Sequence, residues 1–321
     1  MNKPSRLQQA ALAAALSLTL GVAAAQSQSL NLVIAFPAGG PADSLARVVA
    51  AQLEKETKQT VIVENKPGGN GAVAANYVNR SRPDGQTLFL SSVGAISINP
   101  GLYPKLTYDP VNDFAPVAML ISTPEVLVVG EKHPAKTARE FLDRLKEGKT
   151  TLASSGIGSM PHMAIVQLKV SSRQPIMHVP YKGAAPAITD TIGGQVDGFI
   201  GDISGLVGNL KAGKLRALAT AAPKRSAVVP DTPTFDELGV PNVYANNWYG
   251  VLAPKATPKD KVDALNAAFN RVLSSRELKD YEASTGAELS PMSPEEFARI
   301  IRTDTLKWGE LIKAENITVD E

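Results

Sequence analysis

From Leu30 onward the sequence alternates short β-branched runs with longer stretches of helical period, and this alternation leaves few architectures open. The strand candidates are residues 30–35 (LNLVIA), 60–63 (TVIV), 87–92 (TLFLSS), 126–129 (VLVV), 151–155 (TLASS), 176–181 (IMHVPY), 195–202 (QVDGFIGD), 215–220 (LRALAT) and 247–253 (NWYGVLA). Between most of them lie amphipathic stretches such as ADSLARVVAAQLEKE, where Leu45, Val48, Val49, Gln52 and Leu53 recur at helical spacing. Helical crossovers between strands argue for an α/β fold with mixed, mainly parallel sheets.

The end of the chain reads as two helices and no strand. Thr257 is the expected N-cap of the first, with Pro258 at N1 and Val262, Leu265, Phe269, Val272 and Leu273 on one face. Ser293, Pro294 and Glu296 give the second a capping-box start ahead of Phe297, Ile300, Ile301, Trp308, Leu311 and Ile312. Such helices brace a lobe. The chain has no low-complexity linker, and its proline-dotted stretches at 122–126 (STPEV) and 240–248 (VPNVYANNW) are the expected crossings. They divide it into one lobe of 26–123 with 246–321 and a second of 124–245, with a cleft between.

The first residues have the form of a secretory leader: Lys3 and Arg6, an apolar run from Ala10 to Ala25, and small residues before Gln26. The expected mature chain starts near Ala25/Gln26 and is exported. The 33 basic and 31 acidic residues differ in number only by Lys3 and Arg6 of that leader, so nothing points to a nucleic-acid partner. The apolar run is short for a membrane span, so a membrane-spanning protein is not expected. The absence of cysteine removes disulfides, thiolate nucleophiles and cysteine-ligated metal.

Searches for catalytic patterns mostly fail. SSGIGSMPH lacks the order of a nucleophile elbow, and EGKT at 147–150 lacks the earlier glycine of a phosphate loop. His133, His162 and His178 show no zinc-helix spacing, so no metal and no cofactor is expected. Gly69, Gly71 and Ala74 form a Gly-x-Gly-x-x-Ala run, but a polar loop separates it from the strand and no acid follows at the required distance. A glycine turn into a packed helix accounts for it. A serine hydrolase using Ser155 or Ser159 with His162 stays open as a rival.

The informative stretch is FPAGGPADSLARVVA, residues 36–50. Gly39 and Gly40 let the backbone turn, and Pro41 suits a first helical turn, where its missing N–H costs nothing. Amides of Gly39, Gly40, Ala42 and Asp43 would then surround a helix N-terminus, which binds an anion without a charged side chain. Asp43, near N3, either caps the helix or accepts from a ligand. VPYKGAAPAITDTIGG repeats the pattern, Tyr181 preceding Pro186 at the same offset as Phe36 precedes Pro41. Helix ends contribute only about 0.3–1 kcal/mol each, so hydrogen bonds to charge, at about 1.5–3 kcal/mol, must supply most of a micromolar affinity. Further donors are Ser154, Ser155 and Ser159, the amides of Gly183 and Ala184, and Lys182.

At these residues the sequence resembles the substrate-binding proteins of tripartite tricarboxylate transporters, the Bug or TctC-like family. The likeness runs through FPAGGPAD, VENKPGGNGAVAANYV, PDGQTLFLSS, INPGLYPKLTYDPVNDFAPVAML, SSGIGSMPHMA, VPYKGAAPAITDTIGGQVD and LRALATAAPKRS in order. It implies a two-lobed, hinged periplasmic-binding-protein (Venus flytrap) fold, with no catalysis, that delivers a small organic carboxylate to membrane permease subunits. Carried over, the binding loops are Phe36 to Asp43, including Ala38, and Tyr181 to Pro186, with Ser154, Ser159 and Asp202 contributing. SMPHMAIVQLKVSSRQP departs from the serine-rich helix start associated with this family. A sensory receptor of the same fold is the remaining alternative.

Overall fold

The computed structural model describes residues 29–319, so the leader lies outside the described residues. Strand β1 (Leu30–Ile34) is almost wholly buried and runs between two parallel neighbours, β2 (Val61–Asn65) and β3 (Thr87–Ser92). Helix α1 (Pro41–Thr57) makes the first crossover, burying Leu45, Val49 and Leu53 as its period requires. Helix α2 (Ala72–Asn79) makes the second. A π-helical turn at Gly94–Ile98 and the short α3 (Asn99–Leu102) then lead the chain away from β3.

The second lobe repeats this arrangement. Strand β5 (Thr151–Ser154) lies between β6 (Met177–Pro180) and β7 (Gly198–Asp202), all parallel. The crossovers are α5 (Met160–Ser172) and α6 (Ala184–Gly193); α4 (Ala138–Leu145) precedes β5, and α7 (Ile203–Lys211) leads from β7 into β8 (Leu215–Thr220). The corners Phe36–Asp43 and Tyr181–Pro186 therefore follow parallel strands in different lobes, where open α/β sheets place their ligands.

Strand β4 (Phe114–Gly130) joins the lobes. The expected strand at 126–129 is only the end of a 17-residue strand. From Phe114 to Pro124 it pairs antiparallel with β9 (Asn246–Pro254), and from Glu125 to Gly130 its partners are β7 and β8. Proline cannot donate to a ladder, which is why the sequence looks broken here. The structure places Pro116 at a register shift and Pro124 as the last residue paired with β9.

The C-terminal expectation needs correction. Helices α8 (Lys259–Leu273) and α10 (Pro294–Ala314) are present, but α9 (Arg276–Thr285) and β10 (Glu288–Leu289), which pairs with β4, lie between them. Ser275 caps α9, and only Leu278 and Tyr281 of this helix are buried, too few to announce a period. Pro258 itself occupies the N-cap of α8, whereas the Ser293–Glu296 capping box of α10 forms. Helix α8 packs on α1 and β4, and α10 on α3 and β4. Among the described residues no helix is long and apolar enough to cross a membrane.

Candidate functional site

Between the lobes lies a cavity of about 600 Å³ walled by the ends of parallel strands and the loops that leave them. The lobes touch across it. Asn70 Nδ2 donates to the Gly158 carbonyl at 2.8 Å, and a Cβ at Gly183 would lie 3.3 Å from Pro37 Cγ.

The first corner is braced from behind. Phe36 meets Tyr249 edge-on, with ring centroids 5.7 Å apart. Gly39 adopts φ +83°, and Gly40 is the N-cap of α1 with Pro41 in the first turn. No side chain caps this helix, so the amides of Ala42 and Asp43 lack the side-chain acceptor that an N-cap usually supplies. Asp43 is buried, and its carboxylate accepts from the Gly39 amide (3.0 Å), Arg47 Nε and Nη2 (3.0 Å each) and Asn65 Nδ2 (2.9 Å). Burial raises its pKa, but these donors outweigh burial and hold it at about 2. Asp43 and the Gly39 amide are thus engaged with each other behind the wall, while Phe36, Ala38, Gly40 and Ala42 line the cavity.

The second corner hangs on the serine loop. The Tyr181 and Gly183 amides donate to the Ser154 and Ser155 carbonyls, each at 3.1 Å. Gly183, at φ +112°, is the N-cap of α6, again without a side-chain cap. Tyr181, Lys182, Gly183 and Ala184 line the cavity, and Lys182 is the one basic residue among its lining residues. The Tyr181 hydroxyl donates to Asp190 at 2.7 Å, within the same segment.

Of the serines, Ser155 and Ser159 line the cavity and Ser154 does not. Ser154 is fully buried, its Oγ 2.6 Å from His178 Nε2. Ser159 Oγ caps α5 by accepting from the His162 amide and donates to the Gly156 carbonyl. The His162 ring stacks on His178 with centroids 4.1 Å apart, and its Nδ1 accepts from the Gly158 amide at 3.2 Å. The Ser159 hydroxyl is therefore bound to main chain, not to the imidazole that the hydrolase alternative assigns it. Burial lowers both histidines, His162 to about 3 with the neighbouring ring assisting and His178 to about 4.

The hinge end of the cavity is formed by Asp202, Asn247 and Tyr249. Asp202 Oδ1 accepts from Asn247 Nδ2 at 3.0 Å and Oδ2 from the Tyr249 hydroxyl at 2.5 Å. The expectation from sequence did not include Asn247, Tyr249, Ser92, Tyr103 or the Pro67–Gly71 loop, all of which line the cavity. That loop follows β2 as Tyr181–Pro186 follows β6, a signal available once the strands are paired. Gly71, at φ +93°, turns it into α2 with no room for a Cβ, which would lie 2.7 Å from that of Ala95. The Gly-x-Gly-x-x-Ala run is a cavity wall.

Comparison with known proteins bears on this site. BugT of Bordetella pertussis is 31% identical over 304 residues, covering 92% of this chain and 93% of its own. The periplasmic binding protein BugD superposes with a TM-score of 0.85 at 31% identity, over 90% of this chain and 98% of BugD. MatC from Rhodopseudomonas palustris, solved with bound malate, gives 0.83 at 32%, over 88% and 98%. A second R. palustris protein, solved with adipate, gives 0.87 at 30%, over 92% and 99%. The model of the tripartite tricarboxylate transporter family receptor (TctC) matches residues 45–317. This chain, with its two-lobed periplasmic-binding-protein fold, belongs to that receptor family.

Proposed function

We propose that the protein is a periplasmic solute receptor that closes on a small organic carboxylate and hands it to the permease subunits of a tripartite tricarboxylate transporter. One observation carries this reading. Of the helices that start at the cavity wall, α5 is capped by Ser159, whereas α1 and α6, like α2, have glycine at the N-cap and no side chain on their first-turn amides. Away from the cavity α4, α9 and α10 are capped by Thr137, Ser275 and Ser293, and α8, which starts at Pro258, is not. Uncapped helix starts on opposite walls of one cavity offer donors and the positive ends of dipoles to an anion. Malate in MatC and adipate in the second R. palustris protein support a carboxylate.

With Lys182 as the one basic lining residue, a mono- or dicarboxylate fits better than a tricarboxylate. The ligand-binding set is Phe36, Ala38, Gly40, Ala42, Ser155, Ser159, Tyr181, Lys182, Gly183, Ala184 and Asp202, with Gly39, Asp43 and Ser154 holding the loops behind them. We put the lobe boundaries at 123/124 and 245/246; β4 exchanges β9 for β7 one residue on, between Pro124 and Glu125, and β9 begins at Asn246.

The test is thermal unfolding of the leaderless protein against carboxylates, each paired with its uncharged amide. A ligand at about 100 times its Kd adds about 2.7 kcal/mol. Stabilisation by an acid and not by its amide is the expected result. Equal response to both members of every pair, or to none in protein shown by denaturation to carry no ligand, would reject the reading.

A further inference from the structure

Behind the hinge end of the cavity lies an acid that carboxylate binding leaves without a role. Glu125 is fully buried, and no amide, hydroxyl or basic side chain donates to either of its carboxyl oxygens. It stands directly opposite Asp202 in the antiparallel β4–β7 ladder, at the residue where β4 leaves β9. Its polar neighbour is the Asp202 carboxyl itself. Two facing carboxyls in an apolar surround cannot both ionise.

The donors decide which one holds the proton. Asp202 receives Asn247 and Tyr249, both from β9, whereas Glu125 receives none. The charge therefore belongs on Asp202 and the proton on Glu125. The titration tendencies agree: burial and then the Asp202 charge push Glu125 well up, while burial raises Asp202 against the pull of Tyr249, Asn247 and Glu125. Tyr249 and Tyr281 also act on this site, both pushed up by burial, and no lysine or arginine is among the groups acting on either carboxyl.

An ionised carboxyl accepts roughly four hydrogen bonds. Tyr249, Asn247 and the Glu125 proton account for three, and Asp202 lines the cavity with the remainder. A methylene placed there would leave that acceptor dry, and a second ligand carboxylate would be repelled. We infer that Glu125 is a neutral positioning residue that donates its proton to Asp202, and that the supported Asp202 carboxylate selects a ligand bearing a hydroxyl or ammonium donor on its carbon chain. The selection rests on the carboxylate reading above; the proton on Glu125 does not.

Infrared spectra of the ligand-free protein at neutral pH test the proton directly. The carbonyl band of a protonated carboxylic acid should be present in the wild type and lost in Glu125→Gln; its absence from the wild type overturns the inference. Selection is tested with succinate, malate and aspartate and with glutarate, 2-hydroxyglutarate and glutamate, which differ only by hydrogen, hydroxyl or ammonium at one carbon. In at least one set a substituted member should bind at least about tenfold tighter than its parent, the value of one hydrogen bond to charge. Glu125→Gln, which keeps a neutral donor, should preserve that ratio, and Asp202→Asn should shrink it to within about threefold. Asp202→Ser serves if Asp202→Asn does not fold. A ratio that survives loss of the Asp202 carboxylate overturns the selection. Parents binding as well as substituted members overturn the selection alone, whereas no response to these six or to any other acid of the panel, in protein shown to carry no ligand, overturns the carboxylate reading with it.

Discussion

The two corners that face each other across the cavity look alike in sequence and differ in construction. Both run from an aromatic through glycine to a helix with a glycine N-cap. Gly40 sits at φ −86°, a conformation open to any residue, and a Cβ there would approach only the Pro37 carbonyl oxygen, at 3.8 Å. Gly183 sits at φ +112°, and its Cβ would press on Pro37 of the other lobe. The first corner is fixed from within its own lobe by the buried Asp43 and its donors. The second leans on the main chain of the serine loop and on the buried histidine pair beneath that loop. Glycine thus serves two ends. In the first corner it leaves helix amides uncovered, and in the second it also allows a forbidden backbone conformation and close approach of the lobes.

The largest effect should come from the brace. Asp43→Ala strands the Gly39 amide and the Asn65 amide group, and by the usual cost of lost charge-assisted bonds it should destabilise by about 2–3 kcal/mol. Denaturant unfolding measures this, and an unchanged midpoint would show that the first corner needs no brace. Next, Gly183→Ala should cost about 2 kcal/mol of backbone strain and weaken ligand binding through Pro37.

The corners should also separate by pH. His162 and His178 are neutral in the fold with pKa values near 3 and 4, against 6.5 for an unperturbed histidine. The unfolded chain binds protons first, so their contribution is whole well above pH 6.5 and declines as pH falls toward 4 and then 3, by about 2 kcal/mol for the pair at pH 6. Asp43, depressed from 3.8 to about 2, keeps its contribution until the pH falls below about 4. Unfolding midpoints followed from pH 8 to pH 3 should thus begin to fall near pH 6.5, with Asp43 adding to the loss only below about pH 4 and the fall between pH 6.5 and 4 flattened in His178→Asn. Smallest of all is Gly40→Ala, about 0.5 kcal/mol for a poorer N-cap, with the backbone undisturbed. Equal losses in the two glycine variants would erase the distinction between the corners.

Both corners were legible because glycine and proline act locally, and the aromatic–proline offset survives without knowledge of the fold. The strand series was legible for the same reason. Strand β4 was not, because Pro116 and Pro124 interrupt its run and are tolerated only through a register shift and a change of neighbours, which are tertiary facts. Helix α9 was missed because Leu278 and Tyr281 alone face inward. At the site, Asn247, Tyr249 and Asn70 come to the cavity through sheet order and contact between lobes, which no local pattern encodes. Asp43 shows the limit from the other side. Its position at N3 was readable, but which partners its carboxylate takes depended on Asn65, which arrives from β2.

Strand β4 also has a mechanical consequence. Because it threads both sheets without a loop, any rotation of one lobe against the other passes as torque through a few backbone dihedrals around Pro124 and Glu125 and through the second crossing beside them at Ala245 and Asn246. The ladders on either side keep their hydrogen bonds during such a twist, and the resistance is elastic. The molecule is built less like a pair of jaws on a pin than like a torsion bar, stiff along its length and compliant at two short adjoining sections, one of which also carries the buried acid.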